Sequence, residues 1–100
     1  FHCMAITPDQ KIIGVGRINP DLPHTMRIRY MAVDQCAQGK GTGSAILQKL
    51  IEYAKQKNTK LCWLSARESA CEFYKKQGFT IKSEIESELD ILHFRMEKIL

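Results

Sequence analysis

The sequence predicts an α/β (α+β) fold: a mixed, mostly antiparallel sheet with two helices packed on it. Three observations carry that expectation. Period-two apolar runs bounded by turn residues recur at both ends of the chain, as antiparallel strands do. Two helix-period segments alternate with strand-like segments in the middle, which implies a parallel crossover. Between the third strand and the first helix stands QGKGTGS, with Gly39, Gly41 and Gly43 at every second position.

Each element follows in order. Residues 1–7 are apolar and close on TPDQ, a turn sequence, after which KIIGVGRI resumes as a second strand, so the two form a hairpin. NPDLPHT carries two prolines and cannot continue a central strand. TMRIRYMAV then places Met26, Ile28 and Tyr30 on one face and Arg27, Arg29 and Met31 on the other. From about Gly43 to Lys57, residues Ile46, Leu47, Leu50, Ile51 and Ala54 draw one apolar stripe along a helix that ends at KNTK. KLCWLSA is a short, nearly continuous apolar run, the form of a strand covered on both faces. RESACEFYKKQGF gives a second helix with Ala70, Phe73 and Tyr74 inward and Gly78 placed to stop it. FTIKSE is a strand, ESELD a polar connection and ILHFRMEKI the last strand.

One hundred residues hold one core, and no low-complexity tract or linker divides them, so residues 1–100 are expected to form a single domain. No apolar run reaches the ~20 residues of a membrane span, and the first residues lack the pattern of a secretory signal, so a cytoplasmic protein without a membrane partner is expected. Cys3, Cys36, Cys62 and Cys71 lie at no metal-finger spacing, so no metal is expected and each reads as a small hydrophobe in a reducing compartment. The formal net charge of +4 favours an anionic partner. The basic residues are scattered and form no stripe interleaved with aromatics, so nucleic acid is not expected as that partner.

A strand feeding a glycine loop that feeds a helix is a common cradle for a diphosphate, because the first helical amides are unpaired and the dipole favours negative charge. A nucleotide-hydrolysing loop needs Gly-Lys followed by Ser or Thr, which the chain lacks. The G-x-G-x-G spacing does not match the dinucleotide fingerprint G-x-G-x-x-G. Gln38, Gly41 and Gly43 instead spell Q-x-x-G-x-G, preceded by the strand ending MAVDQCAQ and followed in order by ACEFYKKQGF. Together these resemble the GCN5-related N-acetyltransferase superfamily: its pyrophosphate loop, its central strand and its A-x-x-F-Y-x-x-x-G-F helix. LSARESACEFYKKQGF with LHFRMEKIL resembles the branch of small bacterial acetyltransferases with an S-A-R run. The resemblance spans residues 1–98 and implies an N-terminally truncated form of the acyl-CoA N-acyltransferase fold, since the family's first strand and two helices have no counterpart in the chain.

The resemblance implies an N-acetyltransferase that moves an acetyl group from acetyl-CoA to a primary amine by direct attack. It implies that Gln38, Gly39, Lys40, Gly41, Thr42, Gly43 and Ser44 hold the pyrophosphate and that the backbone of Met31, Ala32 and Val33 pairs with the pantetheine arm. By the same resemblance Arg67 takes a position where many relatives have Asn near that arm, open to binding phosphate, an acceptor carboxylate or Glu68, and Tyr74 would be the acid for the departing thiolate; a phenol of pKa about 10 is protonated at neutral pH and suits that role. The central-strand Glu common in the family is replaced by Arg27 and Arg29, leaving His93, Glu68 and Glu72 as candidate bases. Cys71, in the first helical turn, is a candidate for a lowered pKa. The competing expectation is a non-catalytic acyl-CoA-binding regulatory module of a larger protein. An uncovered sheet face and edge predict a homo-oligomer.

Overall fold

The computed structural model describes residues 1–85 and 91–100 of the 100-residue chain. The polar connection expected at ESELD lies outside the described residues. Six strands form one sheet: β1 (His2–Ile6), β2 (Ile12–Pro20), β3 (Thr25–Val33), β4 (Leu61–Arg67), β5 (Thr80–Ile85) and β6 (His93–Ile99), in the spatial order β1-β2-β3-β4-β6-β5. Helix α1 (Thr42–Gln56) makes the crossover from β3 to β4, and α2 (Cys71–Lys76) follows β4. Among the described residues only β3 and β4 run parallel, because a fifteen-residue helix joins them.

The apolar stripe of α1 forms as its spacing requires: Ile46, Leu47, Leu50, Ile51 and Ala54 are all buried. Ile46 and Leu50 lie over the glycines of β2. A Cβ built on Gly16 would stand 2.6 Å from Ile46 Cγ2 and 3.1 Å from Leu50 Cδ1, so the bare backbone there lets helix and sheet close up. Ile18, Met26, Ile28, Cys62, Leu64, Ala66 and Met96 complete the core from the sheet, with Tyr74 and Phe79 from the α2 region. Both helices therefore pack on one face of the sheet. Gly78 adopts φ +93° just past α2 and stops it, as its position suggests.

Four expectations need correction. Asn19 and Pro20 extend β2, paired with Arg27 and Met26. This is tolerated because β1 has run out: its last tie is the Ile18 amide donating to the Phe1 carbonyl, so no ladder donor is missed at Pro20. Tyr30 does not share the buried face of Met26 and Ile28; it is 57% exposed. The cause is a β-bulge: β2 advances one residue from Arg17 to Ile18 while β3 goes from Tyr30 to Ile28, leaving Arg29 unpaired and reversing the alternation beyond it. Met31 then turns to the helix side, its Sδ 3.1 Å from where a Gly16 Cβ would stand.

β4 is not covered on both faces by apolar groups. Its outward Trp63 is sandwiched by guanidinium groups, with Arg27 Cζ 4.4 Å and Arg95 Cζ 3.9 Å from the ring centroid, and its Nε1 donates to Asp21 Oδ2 at 2.9 Å. Finally, α2 has only six residues, because Glu68–Ala70 ahead of it form a 3-10 turn rather than α-helix.

Candidate functional site

The site begins where the two parallel strands part. β3 and β4 are paired only from Thr25 to Ile28 and from Leu61 to Leu64. The bulge at Arg29 follows immediately, and a bulge bends its strand and sharpens the local twist. Beyond it, among the described residues, β3 keeps only β2 as a neighbouring strand and β4 keeps only β6, so a wedge opens between Arg29–Val33 and Ser65–Arg67. The edge of β3 that faces this wedge has backbone groups with no strand to pair them.

The floor of the wedge is the glycine loop. Asp34 Oδ1 accepts from the Cys36 amide at 3.1 Å, capping a 3-10 turn, and this hydrogen bond holds the Asp34 carboxyl below the usual carboxylate range. Gln38 Nε2 donates to the Val33 carbonyl at 3.2 Å, tying the loop back to the strand it left. Gly39 and Gly41 take φ of +79° and +80°, a left-handed conformation that favours glycine, and nothing lies within 4 Å of a Cβ built on either. Gly41 caps α1 without a side chain, and the first helical bond runs from the Ala45 amide to the Gly41 carbonyl at 3.0 Å. The amides of Thr42, Gly43 and Ser44 stand ahead of that bond, at the positive end of a fifteen-residue helix dipole. Gly43 serves differently: its φ is ordinary, and a Cβ there would touch Val33 Cγ2 at 3.4 Å and Phe73 Cζ at 3.5 Å. Ser44 Oγ donates to Gln77 Oε1 at 3.2 Å, joining the start of α1 to the end of α2.

A cavity of about 680 Å³ lies over this loop. Met31, Ala32, Val33, Gln38, Gly39, Gly41, Thr42, Gly43 and Ser44 all line it, with Tyr74, so the structure brings these sequence-predicted residues together. Lys40 and Arg67 do not line it. Ala37, Ser69, Ala70 and Phe73 do, although nothing in the loop motif signals them. Ala37 comes from the 3-10 turn that leads into the loop, and Ser69, Ala70 and Phe73 from the turn and helix that follow β4.

A second cavity of about 420 Å³ adjoins the first and shares Met31, Ser69, Ala70 and Tyr74 with it. It also takes Arg29, Tyr30, Ser65, Arg67 and His93, none of which lines the loop cavity. Ser65, Arg67 and His93 have the strand parity of outward-facing Trp63, so this cavity reaches through the wedge to the sheet face opposite the helices. The sequence marks Arg29 only as a departure from a family position; the bulge that turns Tyr30 outward leaves no local signal, and Ser65 reaches the cavity only because β3 and β4 stop pairing after Leu64.

Tyr74 stands between the two cavities. Its side chain is 9% exposed and meets Phe73 and Phe79 edge-on, with centroids 5.1 and 5.8 Å away. Its hydroxyl makes no hydrogen bond to another described residue, and burial pushes its pKa up from the ordinary phenol value. The phenol is therefore held in the protonated form across the neutral range. Cys71 behaves contrary to the expectation of a lowered pKa: burial pushes its thiol up, its Sγ faces the Arg67 carbonyl at 3.5 Å, and no cysteine lines either cavity. Glu72 is turned to solvent beside Lys75, and Glu68 lines neither cavity. His93 does line the second, its Nδ1 3.0 Å from the Ile91 carbonyl.

A mixed sheet split at one parallel pair, with bare helix-start amides at the base of the split, defines a class of α/β protein with an anion-suited cleft between strands. The sequence profile of the acetyltransferase (GNAT) family matches residues 1–79, and the chain belongs to that family. An acetyltransferase from Bacillus cereus superposes with a TM-score of 0.90 at 25% identity, over 100% of this chain and 72% of that one. A UPF0039 protein of Schizosaccharomyces pombe is 29% identical over 97 residues, which is 95% of this chain and 65% of that protein. An N-acetyltransferase of Methanocaldococcus jannaschii, itself uncharacterised, is 36% identical over 61 residues, 58% of this chain and 27% of that protein. The chain thus spans less than two thirds of the length of these curated relatives.

Proposed function

We propose that this chain forms the transfer site of an N-acetyltransferase that moves an acetyl group from acetyl-CoA to a primary amine by direct attack. The observation that carries the reading is the position of Tyr74, a protonated phenol at the junction of two cavities that open to opposite faces of one split sheet. The loop cavity suits acetyl-CoA: the Thr42, Gly43 and Ser44 amides and the open space beside Gly39 and Gly41 fit a pyrophosphate, and the unpaired edge of β3 from Met31 to Val33 suits an extended amide-bearing arm. When bound there, acetyl-CoA supplies the acetyl group as an activated thioester.

The second cavity receives the amine. The wedge aligns the amine nitrogen with the thioester carbonyl carbon; as the new C–N bond forms and the C–S bond breaks, Tyr74 gives its proton to the departing sulfur, and the proton that the nitrogen sheds as the amide forms returns through water to Tyr74. An ammonium of pKa near 10 must first lose a proton, and in this cavity His93 is the side chain placed to take it: with Nδ1–H donating to the Ile91 carbonyl, Nε2 keeps its lone pair. Direct attack is favoured over a covalent relay because no cysteine reaches either cavity and the Cys71 thiol is held protonated. The donor hydroxyl of Tyr74, left unbonded at the junction, likewise favours transfer over a purely regulatory acyl-CoA module.

Two further features belong to the same proposal. A reducing, cytoplasmic setting fits four free thiols. Self-association fits the exposed Met4, Ile6 and Ile12, grouped on the sheet face away from the helices. Free thiol released on mixing the protein with acetyl-CoA and a panel of primary amines tests the reaction. Stabilisation by CoA without thiol release from any amine would leave a binding module in its place.

A further inference from the structure

We propose that the second cavity selects an acceptor by a negative charge: the amine substrate carries a carboxylate or phosphate that Arg29 and Arg67 hold on the sheet face opposite the helices. The inference rests on the transfer reading above and names its acceptor class. Arg29 and Arg67 come to the cavity from the two strands that diverge, one from the bulge of β3 and the other from the last position of β4. Both are exposed, and neither makes an ion pair or hydrogen bond through its side chain with a described residue.

That is unlike Arg27 and Arg95 of this face. Arg95 is paired with Glu97 at 2.8 Å, and Arg27 and Arg95 stack on Trp63. Arg29 also lies close enough to Arg27 that its charge, after the larger effect of burial, helps lower the Arg27 pKa, and the Arg27 Nε is buried without a partner. Among the described residues the charge beside Arg29 and Arg67 is thus mainly positive, since Asp21 and Glu97 are engaged by the Trp63 cluster. No Asp or Glu lines this cavity among the described residues, so nothing described there would neutralise a cationic acceptor. Ser65, Tyr30 and His93 add hydroxyl and imidazole groups around the two guanidinium forks.

The chemistry that such a site recognises is an oxyanion. Guanidinium forks bind carboxylate and phosphate by paired charge-assisted hydrogen bonds, while a polyamine or a lysine-rich segment would be repelled. The same two charges disfavour the ammonium form of a docked amine, which assists its deprotonation where no carboxylate base is present. The acceptor's anion on the outer face and its amine in the wedge also fix its orientation toward Tyr74.

The test compares acceptors that differ only in that charge, at equal concentrations of free amine: amino acids against their amides, and O-phosphoethanolamine against ethanolamine, followed by thiol release from acetyl-CoA. We expect kcat/KM for the anionic member of one pair to exceed its neutral partner by about tenfold or more, the range of a charge-assisted hydrogen bond. The pair that shows it identifies the anion. In the double variant Arg29→Gln/Arg67→Gln that ratio falls toward one while CoA affinity, measured by calorimetry, holds.

Equal or better use of the neutral partners, or a ratio that survives in the double variant, overturns the proposal. If no amine releases thiol, thermal stabilisation of the CoA-loaded protein by the same pairs decides. An anion-dependent shift lost in the double variant keeps the anion site and removes the transfer reading. Equal shifts remove the anion site.

Discussion

Alanine at Gly41 should lower stability and alanine at Gly43 should not, although the two residues sit two apart in one motif. At Gly41 the backbone φ is +80°, and nothing lies within 4 Å of the new methyl, so the cost is conformational alone. Holding an L-residue in the left-handed region costs about 1–2 kcal/mol, which in a 100-residue domain lowers Tm by roughly 4–8 °C per kcal/mol. At Gly43 the φ is helical and the methyl would meet Val33 Cγ2 at 3.4 Å and Phe73 Cζ at 3.5 Å, ordinary contact distances. Alanine there should leave stability unchanged or raise it by up to about 1 kcal/mol, through helix propensity. Urea unfolding with far-UV circular dichroism measures both. Calorimetry with CoA adds the functional half: Gly41→Val, which distorts the cradle and puts a branched side chain beside it, should weaken binding by about tenfold or more, a 1.4 kcal/mol loss. Gly41→Ala as stable as the parent, or Gly41→Val with parental CoA affinity, would refute the account of the loop.

Three other outcomes follow from the same coordinates. Tyr74→Phe should lower kcat by about a hundredfold or more while leaving CoA affinity and Tm nearly unchanged, since the hydroxyl bonds no described residue; steady-state thiol release and calorimetry check both halves. Burial pushes the Cys62 thiol up to about 11 from 9.0, so between those pH values the unfolded chain releases a proton that the folded one keeps. Stability contributed by this group is complete below pH 9 and lost as pH rises toward 11, by roughly 2–3 kcal/mol, and Cys62→Ala should flatten that part of the pH–stability curve. Met4→Glu/Ile6→Glu should shift a self-associated population toward monomer in sedimentation velocity, because these side chains are 55% and 49% exposed on the open sheet face. A parent protein that is monomeric at high concentration would contradict the oligomer expectation.

The kinds and order of the elements are legible along the chain, because they depend on local periodicity and on turn chemistry. The α1 stripe from Ile46 to Ala54, the hairpin around TPDQ and the stop at Gly78 are all written in neighbouring residues. The loop motif and ACEFYKKQGF also led to the residues that line the larger cavity, because a backbone cradle leaves glycines in the sequence. How the strands part and what faces the gap come from pairing between distant segments. The bulge at Arg29 is a mismatch between two strands, visible in neither one alone; it turns Tyr30 outward and Met31 inward and ends the pairing with β4. The meeting of Arg29 with Arg67, across residues 38 apart in sequence, and the separation of Arg67 from the glycine loop likewise depend on the sheet closing around the crossover helix. Local pattern sets what each segment becomes; long-range register sets which segments share a site.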